Sequence, residues 1–328
     1  MRKVRVKAHR LTRILLVATA FLLSPVLLAA EKQLAYLVSD TRIPFWDIMK
    51  RGVDQRATSL GYKVQVYSAD NDPRRELEFI AQAINRKVDG IILSPTNSSA
   101  AATLLKFARD ANIPGVLADI GTDGGEYLSY IASDNFEGAY RLGKVLVHAL
   151  QSRHWEKGSV GIIAIPQKRA NGKARTAGFM KALAEGGIKG GNFRQQVTFS
   201  YRETYDFARE LITASPDLRA LWLQGSDRYQ AALDAIADSG RKGQILLLCF
   251  DAEPEFLELI PRGVLTGAGM QQPFAIGEEA VNALHAHFKG EAVSKEKLLP
   301  VLPVSPHNIK DLLPTIRRNT LGQGGAPR

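Results

Sequence analysis

"QLAYLVSDTRIPFWDIMKRGVDQ", Gln33 to Gln55, reads as a strand, a turn and a helix in that order. The apolar run QLAYLV has the length of a buried strand. Pro44 stands where helices begin, at the first helical position. Beyond it Phe45, Ile48, Met49, Val53, Ala57 and Leu60 recur at helical spacing. Trp46 lies about 100° off that stripe, at the helix tip. A second aromatic is thus left at the mouth of a strand-to-helix turn, where it either caps the core or faces a ligand.

The same unit recurs along the chain. Short β-like runs are QLAYLV, KVQVYS, GIILSP, PGVLAD, YLSYIAS, SVGIIAIP, QQVTFSY, ALWLQG, ILLLCFD and VLTGAGM. Capped helical patterns separate most of them, among them RRELEFIAQAINRK after Asp72-Pro73, SSAAATLLKFARDAN after Asn97, and TYDFARELITAS. Strands alternating with helices predict an α/β fold with parallel sheets covered on both faces. About ten strands in a chain of 328 residues suit two doubly wound sheets better than one.

Ligands of such sheets sit beyond the carboxyl ends of the strands. Those ends carry Ser39 to Trp46, Ser94 to Thr96, Asp119, Ser133-Asp134, Pro166 to Arg175, Phe199 to Tyr201, Gln224 to Asp227, Phe250-Asp251 and Gln271. Aromatics, carboxylates, amides and an arginine are the groups that grip a sugar. Planar Asp, Gln and Arg each hold two neighbouring hydroxyls, and rings stack on the C–H faces. A single strand-end Asp is more often a cap, so the convergence carries the reading.

The net charge of +10 is concentrated at the start. Arg2, Lys3, Arg5, Lys7, Arg10 and Arg13 take six of the 43 basic residues, leaving 37 against 33 acidic ones. That balance does not call for nucleic acid. Residues 1–30, basic, then apolar, then ending in Ala29-Ala30, have the order of a secretory signal peptide. The sole cysteine, Cys249, forms no internal disulfide. The six histidines lack zinc-type spacing, so neither a metal nor a cofactor is expected.

Six segments carry a family likeness: IPFWDIMKRG, INRKVDGIILSPTNSSA, NIPGVLADI, YIASDNFEGAYRLG, ARTAGF and LLLCFDAEP. In this order and spacing the chain resembles the ribose-binding-protein-like family of periplasmic sugar-binding proteins. The resemblance implies two doubly wound domains joined by three crossovers, near Ser133-Asp134, Gln271-Gln272 and Val301. The first domain would be 34–133 plus 272–301, and the second 134–271 plus 302–312. The Gly-rich end, 316–328, reads as a disordered tail. The resemblance implies a ligand site of Phe45, Trp46, Ser94, Asp119, Ser133, Arg175, Phe199, Phe250, Asp251 and Gln271. Four positions depart from the family's ribose binders: Ile43, Ser94, Ile120 and Gly225-Ser226. The ligand's identity therefore does not carry over.

The function implied is capture of a small sugar or polyol in the periplasm by a monomer that delivers it to an ABC permease. The alternative is a sensory subunit docking on a histidine kinase or chemoreceptor. The leader that stands in place of a DNA-binding headpiece argues strongly against a repressor. Enzymatic function is not expected, because no nucleophile elbow, P-loop or GxGxxG is present.

Overall fold

A computed structural model describes residues 31–323. The expected signal peptide, 1–30, and the last five residues of the expected tail lie outside the described residues. The chain runs β1 (Gln33–Val38), α1 (Pro44–Ser59), β2 (Lys63–Ser68), α2 (Pro73–Asn85), β3 (Gly90–Ser94), α3 (Ser98–Asp110), β4 (Gly115–Ala118) and β5 (Ser129–Ser133). It continues through α4 (Asn135–Gln151), β6 (Ser159–Ala164), α5 (Ala170–Glu185), β7 (Lys189–Gln195), α6 (Tyr201–Ala214), β8 (Leu218–Leu223), α7 (Tyr229–Asp238), β9 (Leu246–Phe250), α8 (Phe256–Leu259) and β10 (Gly267–Met270). Helix α9 (Pro273–Phe288), β11 (Glu296–Leu299), β12 (Leu302–Val304), α10 (Ile309–Thr315) and a π-helical turn at Ile316–Thr320 follow.

Two six-stranded sheets result, ordered β11-β5-β4-β3-β1-β2 and β12-β10-β9-β8-β6-β7. Alternate side chains of each strand enter different cores. Leu34, Tyr36 and Val38 of β1 join one apolar cluster, and Ala35 and Leu37 another. Ile162 and Trp222 face one side of the second sheet, Ile163 and Leu223 the other. Burial on both faces is why these strands read as continuous apolar runs. Asp72 and Asn97 cap α2 and α3 by accepting from the N–H groups of Arg74 and Ala100.

The chain passes between the sheets three times, after β5, after β10 and between β11 and β12. The crossings are bonded together. Asp134 N donates to Leu299 O at 2.9 Å, and Gln272 Nε2 donates to Pro300 O at 2.7 Å.

The two strand orders correspond position by position: β1 to β6, β2 to β7, β3 to β8, β4 to β9 and β5 to β10. Helix packing repeats with them. Helix α1 crosses α9, and α5 crosses α4. In both pairs the ninth residue of one helix is a glycine lying against the second residue of the other. A Cβ on Gly52 would stand 2.1 Å from Phe274 O, and a Cβ on Gly178 would stand 2.1 Å from Phe136 O. Backbone touches backbone there, so no side chain can yield. Gly52→Ala and Gly178→Ala are each expected to destabilise the fold by about 1–3 kcal/mol or more, the usual range for overpacking. Urea melts of the two variants measure this, and wild-type midpoints would refute the close packing.

Three expectations are corrected. QQVTFSY is not a strand: the edge strand is the glycine-rich KGGNFRQ, which lacks an apolar pattern because its surface is largely exposed. Strand β12 pairs antiparallel with β10, because β11 runs toward the cleft beside β5 and the chain keeps that heading as it enters the second sheet, whose other strands point the opposite way. The expected disordered tail is ordered through Gln323. Ile309, Ile316 and Leu321 are buried in the second sheet's core. From the first half, Arg51 of α1 donates to Leu321 O and Gly322 O. Ile309, Leu312 and Ile316 have helical spacing, which the neighbouring glycines obscured.

Candidate functional site

Strand β4 ends at Ala118 and β9, its counterpart, at Phe250. The next residue in each case is an aspartate in the left-handed region, Asp119 at φ 65° and Asp251 at φ 71°. Each is pinned by its own N–H, Asp119 to Ile131 O and Asp251 to Gly269 O, both at 2.9 Å. The sharp turn aims both carboxyls into one cavity between the two sheets. Phe199, at φ 53°, is a third left-handed residue on the same wall. Sparsely populated backbone of this kind concentrates where function fixes it.

The cavity is lined by Phe45, Trp46, Asp119, Arg175, Phe199, Asp251 and Gln271, together with Ile43, Ile165, Arg169, Asn171, Gln196, Gly225 and Asp227. Phe45 and Trp46 meet edge to face, with centroids 4.9 Å apart and planes at 87°. Trp46 stands off the apolar stripe of α1, yet it is only 4% exposed. It packs into the first core and also lines the cavity, so it both caps and faces.

Arg175 is held at four points. Nε donates to Asn135 Oδ1 at 2.7 Å and Nη1 to Gln224 O at 2.8 Å. Nη1 lies 3.9 Å from Asp251 Oδ2, and the guanidinium rests 4.0 Å over the Phe250 ring. Gln271 donates to Asp251 Oδ1. Asn171 Nδ2 donates to Asp119 Oδ2 at 3.1 Å. Two buried acceptors, Asp119 Oδ1 and Gln271 Oε1, have no hydrogen-bond partner among the described residues. Such atoms are costly unless a hydroxyl or amide reaches them.

Burial pushes the Asp119 carboxyl up to about 6, against the pull of Arg175. Burial raises Asp251 and Asp227 as well. Burial lowers Arg169 to about 10, which leaves it charged at neutral pH. The cavity therefore holds opposed charges in a dry setting, with both hydrogen-bond donors and acceptors available.

Three expected site residues lie elsewhere. Ser94 faces the core between strands, its Oγ 3.2 Å from Tyr36 OH and 3.6 Å from Met49 Sδ. Ser133 is buried at the first crossing, with its Oγ unpartnered, and does not line the cavity. Phe250 is fully buried beneath the Arg175 guanidinium and does not line the cavity. Ile120, read as a departure at a ligand position, is a core residue. Arg169, Asn171 and Gln196 went unrecognised as individuals. The first two lie in the strand-end stretch Pro166 to Arg175, and Gln196 directly follows β7, which sequence reading had displaced.

The family model described as "Periplasmic binding protein domain" matches residues 34–292. The chain belongs to that family. It is 29% identical over 268 residues to the ribose import binding protein RbsB of Escherichia coli, covering 80% of this chain and 87% of that protein. It is 23% identical over 307 residues to the D-apiose import binding protein of Actinobacillus succinogenes, covering 92% and 97%. Its fold matches a carbohydrate transporter solute binding protein from Agrobacterium radiobacter solved with D-arabinose, at a TM-score of 0.81 and 23% identity, covering 89% of this chain and 99% of that one. These relatives are binding proteins rather than enzymes, and so is this member of the family.

Proposed function

We propose that this protein captures a small sugar or polyol between its two halves, in the periplasm, and hands it to an ABC importer. The halves act as two domains, 34–133 with 272–301 and 134–271 with 302–312, hinged at the three crossings. The observation that carries the reading is the pair of left-handed aspartates converging with Arg175 on a cavity walled by Phe45, Trp46 and Phe199. Asp119 Oδ1 and Gln271 Oε1 are acceptors that ligand hydroxyls complete. Arg175 donates to ligand oxygens, and the rings take the C–H faces. Ile43 and Ile165 add an apolar flank, which favours a ligand with a C–H-rich or deoxygenated edge. Residues 1–30 export the chain, in keeping with the names of its relatives.

A thermal-shift screen of the exported protein tests this. The panel is D-ribose, D-arabinose, D-allose, D-tagatose, glycerol and myo-inositol. A ligand at a hundred times its Kd adds about 2.7 kcal/mol of stability, which raises the melting point by several degrees. No shift with any of the six at millimolar concentration would remove sugars and polyols from the proposal.

A further inference from the structure

Resting on the reading of a hinged, ligand-capturing cleft, we infer that the segment Arg169 to Asn171 is a latch that holds the two halves together. It sits at the N-terminus of α5 in the second half, yet its bonds run to the first. Arg169 Nε donates to Thr96 O at 3.1 Å, and Nη2 lies 3.5 Å from Asn71 Oδ1. Ala170 N donates to Ser98 Oγ at 3.1 Å. Asn171 Nδ2 reaches Asp119 Oδ2. Three successive residues thus bond across the cleft to three separate elements: the loops after β2 and β4, and the turn from β3 into α3.

The receiving side is prepared for this. The buried Glu76 carboxylate accepts from Thr96 N at 2.6 Å and from Thr96 Oγ1 at 2.9 Å. That grip fixes the turn after β3 and turns the Thr96 carbonyl toward Arg169. On its own side, the Arg169 guanidinium lies 5.7 Å over the Phe199 ring. Phe199 is itself fixed by Arg228, whose Nε donates to its carbonyl at 2.8 Å. Arg169 lines both the inner cavity and an outer chamber of about 600 Å³, as do Ile43, Phe199 and Asp227.

These bonds exist only when the halves are together, so they bias the equilibrium between open and closed forms. Arg169 is a positioning residue in this role, and besides its bonds to Thr96 and Asn71 it lines the cavity. Ser98 does not line the cavity, so it reports on the latch alone.

The test measures distances between spin labels placed on cysteines at exposed Lys106 of α3 and Lys181 of α5. The native Cys249 is buried and stays unlabelled. Distance distributions are recorded without sugar and with D-ribose, D-arabinose and D-allose in turn. Arg169→Met should lower the closed-to-open ratio about tenfold, the loss expected for a charge-assisted bond. Ser98→Ala should lower it about two- to fivefold, in every condition. If the parent shows a closed population and both variants match it, the latch is overturned while the hinge stands. If the parent shows one open distance under all conditions, the hinged-cleft reading itself fails.

Discussion

Arg175→Met is expected to weaken ligand binding by about ten- to hundredfold or more while the protein still folds. Arg175 is 3% exposed and surrounded by groups that need its charge. Losing a hydrogen bond to a charged partner costs roughly 1.5–3 kcal/mol, and each 1.4 kcal/mol is tenfold in Kd. Methionine keeps most of the stem and covers Phe250, so the packing loss is small. Asp251 and Asp119, both already raised by burial, take up protons when the cation is gone instead of remaining as unpaired charges. Arg175→Lys should bind nearly as poorly. An ammonium cannot donate at once to Asn135 Oδ1, Gln224 O and a ligand, because its donors do not form a fork. Calorimetric titration with the sugar that gives the largest thermal shift measures both. Affinities within threefold of the parent would take Arg175 out of the site.

The legible parts of this molecule were those written in side-chain pattern. Twofold burial of each sheet appears as apolar runs, and caps such as Asp72 and Asn97 stand directly before helical stripes. Asp119 and Asp251 were findable because strand ends are where ligands go, and Arg175 through the likeness of the ARTAGF segment. Three kinds of feature had no sequence signal. The first is side-chain direction at the end of a strand: Ser94 and Phe250 occupy strand ends, but the pleat turns them into the core. The second is backbone conformation, since nothing in the local sequence at Asp119 or Phe199 announces a positive φ. The third is what crosses the cleft, because Arg169 and Asn171 meet Thr96 and Asp119 only when two distant folding units come together. The internal repeat of the fold is similarly hidden. It survives as Gly52 and Gly178 against Phe274 and Phe136, and as Asp119 and Asp251, while the surrounding residues differ. Two copies of one scaffold thus present like groups to a shared cavity from opposite sides.

Stability should be higher at pH 5.0 than at pH 7.5, by several degrees in melting temperature. Burial pushes Glu76 up to about 7 from an ordinary 4.5, Glu253 likewise to about 7, and Asp119 to about 6. Between about pH 4 and 7 the folded chain therefore holds protons that the unfolded chain has released. Stability falls as pH rises wherever the folded state binds more protons. At 1.36 kcal/mol per pKa unit, Glu76 alone loses about 2–3 kcal/mol between pH 5.0 and 7.5. Glu253 is half-buried and contributes less. Asp40 and Asp89 are lowered, so their contribution is present above about pH 4 and is lost only below it. His285, lowered by burial, gains stability with rising pH, but it is a single, partly exposed group and does not reverse the trend. Glu76→Gln should flatten the slope, since an amide keeps one acceptor for Thr96 and does not titrate. A bound sugar should flatten it too, because hydroxyls donated to Asp119 stabilise its ionised form and bring its pKa back down. Calorimetric melts at the two pH values, with and without ligand, decide the matter. A melting point that is unchanged or higher at pH 7.5 would mean that these carboxyls are ionised in the folded protein, with solvent reaching Glu76 and Asp119.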